Sequence, residues 1–197
     1  MNENPIFLKY YSPQILLAKE AVLDILTELI GKNLKVLVFG LGLDSNLWYN
    51  ANGMKNIWFV ESNDEYIKMN SYIDSQYIIK YTYDNINVSK SFKLTENEIN
   101  SYVMPEQIKQ HAPYDLIFID GPCGYSNNRP GRLLPIYWSS TCLSQQNTIF
   151  YVDDTDRPLE KYCVSKFMSN VNSKCVKHFI NISRGFHTMT CKILRYK

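Results

Sequence analysis

The residues best suited to chemistry begin with Gly40 and Gly42, which close the apolar run KVLVFG and lead into GLGLDS. Glycines at the end of a buried strand let a ligand approach the backbone closely. Glu61 follows Gly40 by 21 residues and ends a second apolar run, NIWFVE. An acid in that place can accept hydrogen bonds from both hydroxyls of a ribose. A dinucleotide fingerprint needs a third glycine for close packing around the pyrophosphate. Here Ser45 stands in its place, and Asp44 beside it repels phosphate. A ribose-bearing ligand without phosphate is favoured, and S-adenosylmethionine is the obvious candidate. The bland alternative is an ordinary strand-to-helix turn, which also uses glycine.

Three carboxylates follow later strands. Asp120 ends YDLIFID, and Asp153 and Asp154 end TIFYVDD. Acids commonly cap strands or form turns, yet together these three read as oxygen ligands for a hard divalent cation. Methyl transfer from a sulfonium is an in-line displacement by an oxygen that must lose its proton to a base or be acidified by a metal. Asp120 and Asp154 suit either part. Arg132, after Pro130-Gly131, is expected to clamp an anionic group on the acceptor, or else to form a salt bridge. Tyr125 is expected to stack on the acceptor. Trp138 reads equally well as core, and His178 as a structural strand histidine.

Elements must hold these residues. Five strand-like runs, at 35–40, 56–61, 77–82, 114–120 and 148–154, alternate with helical patterns. The helices are expected at 44–50, 64–72, 105–110, 132–143 and 159–168, with a further N-terminal helix at about 12–31 that starts at Ser12-Pro13 and stops at Gly31. Alternation of this kind predicts an α/β fold: a mostly parallel, Rossmann-like sheet with helices on both faces. Two final runs joined by SRGF predict a C-terminal antiparallel hairpin. Residues 84–101 read as a long loop with a short helix.

At 197 residues and 45% hydrophobic content the chain suits one domain, 1–197. A net charge of +2 without a basic block argues against nucleic acid. No run approaches a membrane span. The five cysteines lack C-x-x-C or His-paired spacing, so unpaired, buried thiols are expected rather than a disulfide framework or zinc.

The segments LVFGLGLDSNLW, FVES, YTYD, YDLIFIDGPCGYSNNRPGRLLPIY, VDDTDRPLEKYCVSKF and KHF resemble consecutive motifs of the glucuronoxylan 4-O-methyltransferase family. The resemblance runs from about Ser12 to His178. It implies a class I methyltransferase sheet, S-adenosylmethionine as donor, and a sugar hydroxyl as acceptor, uronic acids included. It sets Gly40, Gly42, Ser45, Glu61, Thr82 and Asp120 on the donor site, Arg132 on the P-G-R arginine, and Asp154 on the aspartate of a His-Asp pair. Leu43, Ser62 and Asp153 depart from the family's usual residues, which bears on acceptor and metal. The Golgi anchor of plant members has no counterpart, so a cytoplasmic location is expected. Methylation of a small hydroxylated metabolite, or donor binding without catalysis, are the alternatives.

Overall fold

The computed structural model describes residues 4–169, 173–183 and 186–196. Seven strands form one sheet: β1 (Val36–Phe39), β2 (Ile57–Glu61), β3 (Ile78–Lys80), β4 (Tyr114–Ile119), β5 (Ser144–Val152), β6 (Ser173–Ser183) and β7 (Phe186–Arg195). Their order is β3-β2-β1-β4-β5-β7-β6. The first five are parallel, and β7 runs antiparallel between β5 and β6. Every predicted strand is present. The last two pair as the expected hairpin, although the glycine of SRGF lies outside the described residues.

β1, and β2 up to Glu61, are apolar because both of their faces are covered. On one face Val36, Val38, Phe59, Leu116 and Phe118 pack on α2 (Lys19–Leu29) and α3 (Ser45–Ala51). On the other, Leu37, Phe39, Ile117, Ile119 and Val152 pack under α8 (Leu133–Trp138) and α9 (Pro158–Cys163). Each of these two helices runs on into a turn of π-helix, Ser139–Leu143 and Val164–Met168. Residues 84–101 hold two short helices, α5 (Val88–Ser91) and α6 (Glu96–Asn100), the second opened by a Thr95–Glu98 capping box. α4 (Asp64–Met69) and α7 (Glu106–His111) fall where the pattern predicts them.

The N-terminal helix differs from the expected 12–31. α2 starts at Lys19, and a separate helix, α1 (Pro5–Tyr10), precedes it. Ser12 is not a helix cap: its Oγ accepts from the Gln14 N–H at 3.2 Å and closes a local turn. The cap-then-proline signal that operates is Asn4-Pro5, where the Asn4 side chain accepts from the Ile6 N–H. Gly31, with φ +76°, ends α2 as expected.

The expectation for the cysteines is corrected. Cys175 and Cys191 form a disulfide across β6 and β7. Of the other three, Cys163 is buried and Cys123 and Cys142 are exposed. Pairing depends on strand register, to which sequence spacing is blind.

Candidate active site

In an open α/β sheet, ligands bind beyond the carboxyl ends of the strands where strand order reverses. In this sheet that point lies between β1 and β4. Gly40 leaves β1 at φ +116°, a conformation side chains rarely adopt. A Cβ on Gly40 would come within 3.2 Å of the Gly121 nitrogen, and one on Gly121 within 2.9 Å of the Gly40 Cα. The tips of β1 and β4 therefore meet backbone to backbone, and glycine is required on both sides.

Glu61 reaches back to this turn. Its Oε2 accepts from the Leu41 N–H at 2.8 Å, and its Oε1 from the Ser62 and Asn63 N–H groups, each at 2.7 Å. Those amides hold the carboxylate beside the glycines, as the spacing suggested. The Gly42 N–H donates to Ser45 Oγ at 2.9 Å, and Ser45 is closed to solvent, so it shapes the turn. Thr82 is exposed beyond β3 and lines a cavity of about 490 Å³ with Tyr81, Asp84 and Lys90. None of the residues lining that cavity belongs to the glycine turn or to the acids described next.

Asp120, Asp153 and Asp154 each place a carboxylate oxygen within 4.8 Å of the other two. The sequence expectation of convergence holds, but Arg132 stands among them. Its Nη2 lies 2.9 Å from Asp120 Oδ1 and 2.7 Å from Asp154 Oδ2, and its Nη1 donates to the Asp153 carbonyl. Arg132 is delivered inward by the P-G-R turn. Gly131 has φ +70°, and a Cβ there would strike Leu159 at 2.4 Å. The arginine is 3% exposed, so it is not the acceptor clamp expected from sequence. Its two Nη atoms tie the acids together, while its Nε is buried without a hydrogen-bond partner.

One oxygen of each of these carboxylates is already bonded. Asp120 and Asp154 serve Arg132, Asp154 also accepts from Arg157 Nη1 at 2.8 Å, and Asp153 Oδ1 accepts from the Thr190 hydroxyl at 2.6 Å. This donor set, with a guanidinium at its centre, does not fit the hard cation expected from Asp120, Asp153 and Asp154.

The electrostatics are lopsided. Burial raises Asp120 well above the usual carboxylate range, Asp153 adds to the rise, and Arg132 opposes it. Burial and Asp154 likewise raise Asp153. Burial would lower the Arg132 guanidinium, but Asp154 and Asp120 outweigh it and the net shift is upward. Asp44 occupies the cap position of α3 yet makes no capping bond, and its Oδ2 is buried without a hydrogen-bond partner. Burial, reinforced by Asp153, pushes it up to about 6. Asp154 itself has φ +57°, an unusual backbone for a residue other than glycine, of the kind that clusters at functional sites.

Tyr125 is 63% exposed, with the Arg129 guanidinium 5.2 Å from its ring centre. It borders a pocket of about 250 Å³ together with Phe92, Arg157 and Glu160. Trp138 is core, edge-on to Tyr81. His178 is exposed on β6 beside Cys175. Sequence reasoning missed Arg157 and Glu160. The only sequence sign of Arg157 is its position three residues after Asp154, which lets the two pair within one turn.

The fold and the crevice define the class I, Rossmann-like methyltransferase architecture. Two solved structures share it. The O-methyltransferase TomG from Streptomyces achromogenes, in complex with S-adenosylmethionine, is 12% identical with a TM-score of 0.58, over 98% of this chain and 86% of that one. The Bacillus cereus O-methyltransferase in complex with S-adenosylhomocysteine is 11% identical with a TM-score of 0.58, over 95% and 85%. In sequence the chain is similar to glucuronoxylan 4-O-methyltransferases. Glucuronoxylan 4-O-methyltransferase 3 of Arabidopsis thaliana is 29% identical over 155 residues, covering 67% of this chain and 51% of its own. Glucuronoxylan 4-O-methyltransferase 1 of the same plant is 26% identical, over 88% and 71%. Its arabinogalactan O-methyltransferase 2 is 25% identical, over 77% and 58%. The chain thus spans about half the length of the first of these relatives. No protein-family model matches the chain. Among the described residues no helix is long and apolar enough to cross a membrane.

Proposed function

We propose that this protein is an S-adenosylmethionine-dependent O-methyltransferase whose acceptor is a sugar hydroxyl of a glycan or sugar precursor, uronic acids included. The observation that carries the reading is Glu61, fixed beside a glycine turn, together with the acids Asp44 and Asp120, which stand close enough to feel each other's charge. An acid at the end of β2 suits a ribose diol, and a group of carboxylates attracts a cationic ligand while repelling phosphate. The residues fit S-adenosylmethionine, with Gly40 and Gly42 allowing the close approach. When bound, this donor supplies an electrophilic methyl on a positively charged sulfur.

The protein's own part is to take one proton and to hold an oxygen in line. Asp120 is the base in this reading. Its side chain is 32% exposed, and its pKa is raised above the usual carboxylate range, which makes it a stronger base than an ordinary aspartate. Asp154, held by two arginines, is a positioning residue: it orients Arg132, which in turn orients Asp120. As the acceptor oxygen bonds to the methyl carbon and the carbon–sulfur bond breaks, the hydroxyl proton passes to Asp120. The exposed Tyr125 ring and the half-buried Arg157 offer a stacking face and a cation at the pocket rim. The relatives' names, glucuronoxylan and arabinogalactan, support a carbohydrate acceptor.

The test is calorimetry with S-adenosylmethionine and S-adenosylhomocysteine, followed by labelled methyl transfer to uronic-acid glycans, neutral glycans and small phenols. Binding of the donor with transfer to a glycan supports the reading. Transfer confined to the phenols overturns the sugar assignment, and binding of a dinucleotide in place of the donor overturns the whole.

A further inference from the structure

Away from the crevice, three soft donors meet on the C-terminal hairpin. Cys175, His178 and Cys191 each place a ligating atom within 4.8 Å of the other two, with His178 Nε2 3.4 Å from Cys175 Sγ. The meeting depends on an irregularity. In a regular strand, residues three apart point to opposite faces. β6 carries a bulge: Cys175 lies opposite Ile193 and Lys177 opposite Lys192, so Val176 is the extra residue. The bulge turns Cys175 onto the face of His178, which lies directly opposite Cys191. Cys191 is buried, Cys175 is half-buried against the core under α9, and His178 is exposed.

We propose that these three residues, with the disulfide opened, form a zinc site of two thiolates and one imidazole. Cysteine sulfur and histidine nitrogen are the donors zinc prefers. Around a tetrahedral ion with Zn–S near ~2.3 Å and Zn–N near ~2.0 Å, donor atoms stand roughly 3.5–4 Å apart. Opening the disulfide takes two electrons and two protons: a dithiol supplies both and is itself oxidised to a disulfide, whereas a phosphine supplies the electrons and water supplies the protons and the oxygen of the phosphine oxide. Zinc then displaces the two thiol protons. The exposed side of His178 leaves a fourth position for water, or for a ligand from a partner. Thr190, which holds Asp153, directly precedes Cys191, but successive strand residues face opposite ways, so the site lies across the sheet from that contact. It is separate from the acids and from methyl transfer.

The test uses the full chain, reduced with a phosphine and stripped of metal. Zinc is titrated in competition with a chromogenic chelator, and cobalt(II) is added as a spectroscopic probe. The expected result is one zinc per chain and a thiolate-to-cobalt charge-transfer band. His178→Ala, at an exposed position where folding is not at risk, is expected to weaken zinc by 10-fold or more, and Cys191→Ser to abolish the cobalt band. Cys123→Ser and Cys142→Ser are expected to change neither. Absence of stoichiometric zinc on the reduced protein overturns the proposal. So does unchanged affinity in His178→Ala, which would leave the pair as a disulfide alone.

Discussion

The guanidinium of Arg132 lies 2.7 Å from the carboxylate of Asp154, and the two side chains are only 3% and 6% exposed. The same Nη2 reaches Asp120, so one buried cation bridges the tips of β4 and β5. Removing one member of such a network leaves an uncompensated charge indoors. Arg132→Met is therefore expected to destabilise the fold by about 3–5 kcal/mol, measured by urea unfolding at pH 7. Arg132→Lys should lose less but still weaken turnover, because a single ammonium cannot meet both carboxylates and also reach the Asp153 carbonyl as the second guanidinium nitrogen does. Wild-type stability in Arg132→Met would show the network to be inert.

Asp120→Asn removes the proposed base while keeping its shape. Methyl transfer is expected to fall by ~10²–10⁴-fold in kcat, read at saturating donor so that any weakening of donor binding by the lost charge is kept apart. In the wild type, kcat/KM should fall as pH drops through the Asp120 pKa, which sits above the ordinary carboxylate range. That acidic limb should vanish in the variant. Turnover within twofold of wild type would exclude Asp120 as the base.

Asp44 titrates at about 6 in the folded protein, against 3.8 for an unperturbed aspartate. Between those pH values the folded state binds more protons than the unfolded state, so stability falls as pH rises from about 4 to about 6. The loss from this one group is of the order of 3 kcal/mol at most. Asp44→Asn is expected to flatten that slope in unfolding measurements at a series of pH values. A cationic donor favours the ionised carboxylate, so its affinity should rise with pH through about 6 in the wild type and not in the variant. Parallel stability curves for the two proteins would contradict this account.

Gly40→Ala forces a Cβ onto a backbone at φ +116° and against the Gly121 nitrogen. A loss of about 1–3 kcal/mol in stability is expected, together with loss of donor binding in calorimetry. Gly121→Ala approaches the same contact from β4 and should behave alike. Full donor affinity in either variant would detach the glycine turn from the donor site.

Glu61→Gln replaces an acceptor-only group with one that carries an NH2, against three backbone N–H donors. A drop in affinity for both S-adenosylmethionine and S-adenosylhomocysteine of tenfold or more is expected, since both carry the ribose. An effect on only one of the two would move Glu61 away from the sugar.

Much was readable along the chain because it is local. Apolar runs of four to six residues mark strands whatever their neighbours, Gly31 stops α2 by its own backbone freedom, and the spacing of Gly40 and Glu61 announces a glycine turn met by the acid at the end of β2. The start of α2 was misread because Ser12-Pro13 and Asn4-Pro5 carry the same capping signal, and only packing of Ile15 and Leu17 into the core separates them. Arg132 reads equally as an acceptor clamp or a salt bridge, and only Asp120, Asp153 and Asp154, brought to it from the tips of β4 and β5, decide for the second. Cys175 and Cys191 became neighbours through a register shift at Val176. Local conformation follows from steric and hydrogen-bonding preferences carried by a few adjacent residues, and those the sequence determined by itself. Burial, pairing and charge environment arise between segments brought together only by the assembled sheet, and these the tertiary structure alone decided.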